Sequence, residues 1–249
     1  MITVRIGGKI SPYEEKTITG KGENKILLID ITGFITAKSS SDITGIKKEP
    51  GMVERIKEQL NKAENDNRIK VIILRVNTPG GTVTASDIIY HEFFEFKKKK
   101  DVKIIAAMMD LSTSGGYYIS MSADKIVAHP TTITGSIGVL AVKLNVKGLF
   151  EKIGIEDETV KSGEKKDITS PFRSFSEEEK EIFQEIIDSL FQNFLNVVKT
   201  GRKELSTEEI QKIADGRIYT SQQAVKLKMI DQIGYLEDAI ELAKKEAGL

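Results

Sequence analysis

Continuous apolar runs that alternate with helical segments constrain the fold of this chain more than any other feature. Strands covered on both faces show no polar alternation, and they belong to parallel sheets with helical crossovers. The apolar runs occupy residues 25–33, 70–76, 102–110 and 125–128. Helical spacing fills the intervals 51–66 and 84–100, and another helix is predicted to begin near residue 115. This alternation predicts an α/β fold with parallel strands.

The second half of the chain is predicted to form a C-terminal helical region. Capping-box patterns, in which a serine precedes a glutamate by three residues, mark helix starts at Ser176 and Ser206. A third helix is predicted over residues 221–231. The helix after Ser176 carries a wide apolar stripe, which either packs in the core or forms a subunit interface. The stripe consists of Phe183, Ile186, Ile187, Leu190, Phe191, Phe194, Val197 and Val198.

Length and composition indicate a globular protein and narrow its class. The 249 residues suit one large domain, which we place at residues 25–249 after an N-terminal arm at residues 1–24. Basic and acidic residues number 37 each, so no basic excess points to nucleic acid as a partner. The chain has no cysteine, which excludes disulfides, thiolate metal sites and cysteine nucleophiles.

No apolar run approaches the roughly 18–20 residues that span a bilayer, so we expect the chain as given to be soluble. Residues 1–9 lack the apolar core of a signal peptide. The phosphate-binding pattern G-x-x-x-x-G-K-[ST] is absent, which argues against ATP hydrolysis. Acidic residues show no spacing suited to metal binding, and we expect neither a metal nor a cofactor.

Two glycine-rich turns each follow a predicted strand and lead into a predicted helix. The first contains Pro-Gly-Gly at 79–81, and the second contains Ser-Gly-Gly at 114–116. Such turns leave backbone N–H groups unpaired, and these groups can bind an anion or a developing oxyanion. The alternative is a plain tight turn in which glycine only supplies the required backbone angles.

Ser114 stands where a nucleophile would be expected, after the third predicted strand and before two glycines. The glycines would let a substrate carbonyl approach the backbone. Ser112 competes with it locally, but it lacks the adjacent glycines and ranks lower. A small polar residue at a turn is the other interpretation of Ser114.

A serine nucleophile needs a base, and the residues alone leave its identity open. Of the two histidines, His91 lies inside a predicted helix and His129 ends a predicted strand, and nothing ties either one to Ser114. A lysine is the other choice of base. Residues 160–180 form the best local source of such a lysine, because this segment separates two ordered regions. A solvated charged loop is the competing interpretation of this segment.

Four motifs in sequence order resemble the signal peptide peptidase A (SppA) family of serine peptidases. They are RVNTPGG, STSGGYYISMSADKIVAHPTTITGSIGV, SGEKKDITSPFR and ADGRIYTSQQAVKLKMIDQIG. The resemblance extends from about residue 25 to residue 240. It implies a ClpP/crotonase-like fold of repeated ββα units with parallel sheets, followed by the C-terminal helical region.

The resemblance assigns roles to individual residues. It implies that Ser114 is the nucleophile and that Lys166, directly before Asp167, is the general base rather than Lys165. It also implies an oxyanion hole and a substrate groove. The oxyanion donors would be the N–H groups of Gly81 and Gly115, and the groove would include Gly80, Thr134, Gly135, Ser136 and Ile137. From Asp167 itself we expect orientation of the loop or pairing with a cation, and no proton transfer.

The resemblance further implies how such a peptidase assembles and what it cleaves. A single-copy chain would form a homo-oligomeric ring, an octamer, in which Lys166 of one subunit serves Ser114 of the next. Substrates would be cleaved signal peptides or other unfolded, apolar peptides, degraded without ATP. Family members are usually anchored in a membrane with an extracytoplasmic peptidase domain, although no anchor is visible in this sequence. Activity should rise toward alkaline pH, because a lysine accepts a proton only when neutral.

Three other functions remain open for the same fold. The first is an acyl-CoA enzyme of the crotonase type, which would use an oxyanion hole for a thioester enolate. The second is a viral capsid-maturation protease. The third is a peptide-binding scaffold without catalytic activity. Covalent labelling of Ser114 would separate a serine peptidase from the acyl-CoA enzyme. A scaffold would bind unfolded peptide and show no difference between wild type and Ser114→Ala.

Overall fold

The computed structural model describes residues 15–41 and 48–249. The predicted N-terminal arm lies outside this description up to residue 14, and the rest of it, residues 15–24, forms no helix or strand. The strands are β1 Lys25–Thr32, β2 Ser40–Ser41, β3 Lys48–Glu49, β4 Ile69–Thr78, β5 Lys103–Thr113, β6 Lys125–Ala128, β7 Ile133–Gly135, β8 Ile218–Thr220 and β9 Gln232–Ile233. The helices are α1 Met52–Glu64, α2 Val83–Lys100, α3 Gly115–Ser120, α4 Lys147–Ile153, α5 Glu177–Gly201, α6 Thr207–Ile213, α7 Ser221–Lys226 and α8 Leu236–Glu246.

Seven of the strands form one sheet, in which β1, β4, β5, β6 and β9 lie side by side and run parallel. The predicted parallel α/β fold is therefore confirmed. The four predicted strands correspond to β1, β4, β5 and β6. Strand β7 pairs in parallel with the end of β5 and antiparallel with β8.

A register shift in β5 directs this strand toward the candidate site. Val76 of β4 pairs with Met108 of β5, and Thr78 pairs with Ser112. Between these two pairs β4 advances by two residues and β5 by four. The extra residues let β5 leave β6 and pair instead with β7, through Leu111–Thr113. The end of β5 is thereby placed beside the turn that follows β4.

Alternate residues of the central strands pack into different apolar cores, as expected when successive side chains point to opposite faces of the sheet. Ile72 and Leu74 pack with α1 and α2, whose contributions include Ile56 and Phe93. Val71 and Ile73 instead pack with Ala239 and Ala243 of α8 and with Ile105. A third core joins α3, β6 and the C-terminal helices, with Tyr117, Phe194 and Val198 among its members.

The second half differs from the sequence prediction in detail. Both capping boxes are present, at Ser176 before α5 and at Ser206 before α6. The helix predicted over residues 221–231 ends at Lys226, because Lys228 takes a positive φ of 56° and the Met229 N–H turns back to the Ala224 carbonyl. The short strands β7, β8 and β9 and the helices α4 and α8 were not predicted as elements.

The apolar stripe of α5 serves the core only in its C-terminal part. Phe194 and Val198 are buried, whereas Phe183 and Ile187 are half-buried and Ile186 is exposed. The core interpretation of the stripe therefore holds for the second half of the helix, and its first half presents an apolar surface to the outside.

Candidate active site

Ser114 occupies a strained backbone position at the junction of β5 and α3. Its φ and ψ are 50° and −116°, a region that residues with a Cβ atom rarely adopt and that costs about 1–3 kcal/mol. Hydrogen bonds hold it there, because its N–H donates to the Gly135 carbonyl at 2.8 Å and its carbonyl accepts from the Tyr118 N–H at 2.9 Å. The side chain of Ser114 is half-buried and lines a small cavity.

The turn after β4 packs directly against Ser114. Gly80 has a φ of +102°, and a Cβ atom added to it would lie 2.9 Å from the Ser114 Cβ and 2.9 Å from the Gly115 nitrogen. The Thr78 Oγ1 accepts from the Gly80 N–H at 3.0 Å, and the Thr113 Oγ1 donates to the Pro79 carbonyl at 3.0 Å. Only glycine fits at position 80 while the two turns lie this close.

Gly81 is held from the other side by the segment that follows β1. It forms a parallel bridge with Ile35, and a Cβ atom on Gly81 would lie 2.0 Å from the Ile35 carbonyl oxygen. The Ile35 N–H donates to Gly80 and the Ile35 carbonyl accepts from Thr82, each at 2.9 Å. Within residues 15–41 and 48–249, neither the Gly81 N–H nor the Gly115 N–H has a hydrogen-bond acceptor. Both glycines line the Ser114 cavity, so two donors lie beside a serine hydroxyl.

The cavity next to Ser114 measures about 20 Å³ and has mainly apolar walls. Its other lining residues are Val83, Ser86, Tyr118, Gly138, Val139, Leu190 and Phe194. These residues were not predicted as part of the site. They come from four segments, and one of these, in α5, is distant in sequence from every predicted site residue. The apolar stripe of α5 was the one available signal, since Leu190 and Phe194 belong to it.

The predicted groove segment reaches Ser114 through its backbone. The Gly135 carbonyl accepts from the Ser114 N–H, and the Ser136 N–H donates to the Arg217 carbonyl at 2.8 Å. Thr134 is buried, and its Oγ1 donates to the Ser112 carbonyl at 2.7 Å. Ile137 is also buried, in the core that contains Phe194. The side chains of Thr134 and Ile137 therefore point into the protein, and the next two residues, Gly138 and Val139, line the cavity.

The lysine implied as the base lies on an exposed turn away from this cavity. Lys166 is exposed and is not among the residues that line the Ser114 cavity. In the part of the chain that the structure describes, its ammonium has no hydrogen bond or ion pair. The neighbouring lysines differ in this respect, because Lys165 pairs with Glu178 and Lys161 pairs with Asp167. Ser114, Gly81 and Gly115 thus lie together at the cavity, whereas Lys166 of the same chain does not line it.

An ionic network surrounds the Lys166 turn. Asp167 accepts two hydrogen bonds from Arg173, each at 2.8 Å, and another from Lys161. These bonds hold the pKa of the Asp167 carboxyl well below its ordinary value of 3.8, with Arg173 as the largest cause. Arg173 also lowers the pKa of Glu179 to about 2. The expectation that Asp167 pairs with a cation is confirmed.

The competing residues lie outside the cavity. Ser112 is fully buried, and its Oγ has no hydrogen-bond partner among the described residues. His91 is exposed on α2. The His129 Nδ1 lies 2.8 Å from the Thr131 Oγ1, and its ring packs edge-on against Tyr235 with centroids 4.9 Å apart. In the described ranges, no cluster of three or more histidine or acidic residues could hold a metal ion.

Sequence comparison identifies the family to which this arrangement belongs. The profile of Peptidase family S49 matches residues 96–249, which include Ser114 and Lys166. The chain belongs to peptidase family S49. As a member of S49 it is a serine peptidase, and the resemblance to SppA is confirmed. The profile of the Clp protease family matches residues 30–134, over the central strands.

Named relatives of this S49 peptidase align over most of its length. It is 41% identical over 236 residues to the "Putative signal peptide peptidase SppA" of Enterococcus faecium, covering 95% of this chain and 67% of that protein. It is 32% identical to the chloroplastic serine protease SPPA of Arabidopsis thaliana, covering 93% of this chain and 34% of that protein. It is 34% identical to Protease 4 of Haemophilus influenzae, covering 89% of this chain and 35% of that protein.

A solved structure supports the fold of the S49 peptidase. A ClpP1 mutant from Listeria monocytogenes matches with a TM-score of 0.54 at 17% sequence identity, covering 85% of this chain and 93% of that chain. The implied ClpP-like fold is thereby confirmed. None of the helices among the described residues combines the length and the apolar character that a bilayer crossing requires.

Proposed function

We propose that this S49 peptidase is an endopeptidase with a Ser114–Lys166 dyad, which degrades cleaved signal peptides or other unfolded, apolar peptides without ATP. The observation that carries the proposal is the junction of β5 and α3. There Ser114 is held in a strained conformation beside the N–H groups of Gly81 and Gly115, neither of which has an acceptor among the described residues. Nucleophilic attack on a carbonyl needs this combination of a serine and preorganised oxyanion donors.

The reaction proceeds by acyl transfer. Neutral Lys166 takes the proton of the Ser114 hydroxyl while its oxygen attacks the peptide carbonyl. The Gly81 and Gly115 N–H groups donate to the oxyanion that forms. The tetrahedral intermediate then expels the amine, which takes the proton from Lys166, and an ester to Ser114 remains. A water molecule then gives a proton to Lys166 while its oxygen attacks the ester carbonyl. The acyl–oxygen bond to Ser114 breaks, Lys166 returns the proton to the Ser114 oxygen, and the carboxylic acid product leaves. Because Lys166 starts each cycle neutral, activity should rise toward alkaline pH.

The pairing of the lysines on the turn supports Lys166 as the base. Lys161 and Lys165 are each paired with a carboxylate. The hydrogen bond to Glu178 raises the pKa of Lys165, which makes Lys165 a poor proton acceptor. Lys166 has no such partner in the described ranges and extends toward the outside. Of the three lysines, Lys166 is the one whose amine has no carboxylate partner in the part of the chain that the structure describes.

The separation of Lys166 from the Ser114 cavity supports a dyad that is completed between subunits. Residues 140–160 expose several large apolar side chains, with exposed fractions of 80% for Leu140, 77% for Val142 and 70% for Leu144. An apolar surface of this kind is typical of a subunit interface. We propose a homo-oligomeric ring, an octamer, in which Lys166 of one subunit lies beside Ser114 of the next.

The cavity beside Ser114 supports apolar substrates with small side chains. Its walls are mainly apolar, and its volume of about 20 Å³ is near that of one water-sized group. A folded protein cannot present an extended segment to such a site, so unfolded peptides are the expected substrates. The names of the Enterococcus and Arabidopsis relatives agree with a peptidase of the SppA type.

Covalent labelling and peptide cleavage together test this function. We expect a fluorophosphonate to label wild type at Ser114, and wild type to cleave casein and a short apolar peptide. Ser114→Ala and Lys166→Ala should each lose activity by about 10³-fold or more, whereas His129→Ala, the control, should retain it. Full activity in Lys166→Ala would refute the dyad. No cleavage together with no labelling of wild type would favour an acyl-CoA enzyme or a peptide-binding scaffold.

A further inference from the structure

We propose that Arg173 is a positioning residue that fixes the Lys166 turn for catalysis. This inference rests on the proposed function, in which Lys166 is the base. Lys166 itself has no side-chain partner in the described part of the chain, so its position is set by the backbone of its turn. Asp167, the residue directly after the lysine, holds this turn in place. Arg173 connects that carboxylate to the rest of the protein.

Arg173 binds two carboxylates at once, each through two N–H groups. Its Nε and Nη2 donate to Asp167 at 2.8 Å each. Its Nη1 and Nη2 donate to Glu179 at 2.7 and 2.6 Å. Two bidentate contacts fix the guanidinium in both direction and rotation, which single-point ion pairs do not achieve. The Asp167 carboxylate is therefore held in one orientation.

The second carboxylate anchors this network to a long helix. The Glu179 side chain is 3% exposed, and it accepts from the Ser176 N–H at 2.9 Å within the capping box of α5. The same helix lines the Ser114 cavity with Leu190 and Phe194. Arg173 thus links the turn that carries the base to a helix that forms the wall of a catalytic cavity.

Lys165 also joins this turn to α5, because it pairs with Glu178, but this contact is a single, exposed ion pair. Three further bonds hold the backbone of the turn. The Lys166 N–H donates to the Gly163 carbonyl at 3.0 Å, and the Ser170 N–H donates to the Asp167 backbone carbonyl at 2.8 Å. The Lys143 Nζ donates to the Ile168 carbonyl at 3.1 Å. We expect these contacts to preserve the turn when Arg173 is replaced. The orientation of the turn relative to α5 would then be less restricted. A small displacement of a catalytic group can lower the rate by about 10²-fold.

The test compares three substitutions of Arg173 by steady-state kinetics. Arg173→Gln should lower kcat by about 10–100-fold and leave KM within about two-fold of wild type, because the substrate cavity is unchanged. The kcat of Arg173→Lys should lie between those of wild type and Arg173→Gln, because an ammonium group keeps the positive charge but cannot make two bidentate contacts. Millimolar guanidinium chloride should raise kcat of Arg173→Ala, because the added cation can occupy the space between Asp167 and Glu179.

Matched controls separate positioning from folding. Arg68 also binds an aspartate, Asp66, through two N–H groups, and Arg68→Gln should leave kcat unchanged. Lys166→Ala should not respond to guanidinium. The inference is overturned if Arg173→Gln keeps wild-type kcat while Lys166→Ala is inactive. It is also overturned if the lost activity merely follows the unfolded fraction and guanidinium restores none of it. Full activity in Lys166→Ala would instead refute the proposed function itself.

Discussion

Gly80 packs against the side chain of Ser114 so closely that a Cβ atom at position 80 would lie 2.9 Å from the Ser114 Cβ. The contact joins the ends of two adjacent parallel strands, β4 and β5, and it brings the two glycine-rich turns of the sequence together. The Gly80 φ of +102° adds a second reason for glycine at this position. The position of the proposed nucleophile therefore depends on a residue that carries no reactive group.

Gly80→Ala should accordingly impair catalysis more than its effect on stability explains. The added methyl group must displace Ser114 or the Gly115 nitrogen, and we expect kcat to fall by about 10–100-fold. Gly154→Ala provides the control, because Gly154 also has a positive φ, of +71°, but no atom of the described residues lies within 4 Å of an added Cβ. Kinetics and thermal unfolding of both variants check this. Equal kcat values for the two variants would show that the contact with Ser114 is unimportant.

The strain at Ser114 predicts that its replacement by glycine stabilises the fold relative to its replacement by alanine. Both changes remove the hydroxyl, so their difference isolates the backbone conformation at a φ of 50°. We expect Ser114→Gly to be more stable than Ser114→Ala by about 1 kcal/mol. Denaturant unfolding of the two inactive variants measures this difference. If Ser114→Ala were as stable as Ser114→Gly or more stable, the strained conformation of Ser114 would not be a feature of the folded protein.

The central sheet was predictable because its strands are buried on both faces. The run at residues 70–76 became the core of β4, and the run at 125–128 became β6 without change. The helix boundaries marked by Ser176 and Ser206 were also predictable, since a capping box is a local hydrogen-bond pattern. The strands β7, β8 and β9 have two or three residues each, and pairing with distant strands defines them rather than any local pattern.

The candidate site was predictable only in part. The positions of Ser114 and the two glycine turns follow from strand ends that meet at one edge of a parallel sheet. Val139 and Leu190 were missed, because a cavity wall made by distant segments has no local signature. The selection of Lys166 among the 37 basic residues came from the family resemblance alone. The contrast between Lys166, which has no ion pair within residues 15–41 and 48–249, and its paired neighbours Lys161 and Lys165 became visible only in the structure.

The small volume of the cavity beside Ser114 predicts a preference for substrates with small side chains near the cleaved bond. A space of about 20 Å³ accepts a small side chain, so alanine peptides should be cleaved about ten-fold faster than phenylalanine peptides by kcat/KM. Leu190→Ala should enlarge the cavity and reduce this preference. Leu227→Ala, at the end of α7 and outside the cavity, should leave it unchanged. A series of fluorogenic peptides checks the prediction, and a preference for phenylalanine in wild type would contradict it.

The network around Arg173 predicts a contribution to stability that disappears in acid. The pKa of Asp167 is lowered from 3.8, and that of Glu179 is lowered from 4.5 to about 2. A carboxyl with a lowered pKa stabilises the folded state fully above its unfolded value, and this stabilisation is lost as the pH falls through the folded value. The loss therefore begins near pH 4.5 and continues toward pH 2.

Thermal unfolding of wild type and Arg173→Gln as a function of pH measures this contribution. The melting temperature of the variant should be lower at pH 7, and the difference should narrow as the pH approaches 3. Lys152→Gln removes one positive charge from the exposed helix α4 and should show no comparable change with pH. A difference between Arg173→Gln and wild type that stays constant down to pH 3 would show that the two carboxylates do not carry this stability.

Complementation between two inactive variants tests the central claim, that Ser114 and Lys166 of neighbouring subunits form one catalytic site. Ser114→Ala and Lys166→Ala are co-expressed, and peptide cleavage by the purified oligomer is measured. Each variant co-expressed with the double variant serves as the control. We predict roughly a quarter of wild-type activity, because half of the sites keep Ser114 and half of those face a subunit with Lys166. Mixed oligomers as inactive as the controls would contradict a site shared between subunits.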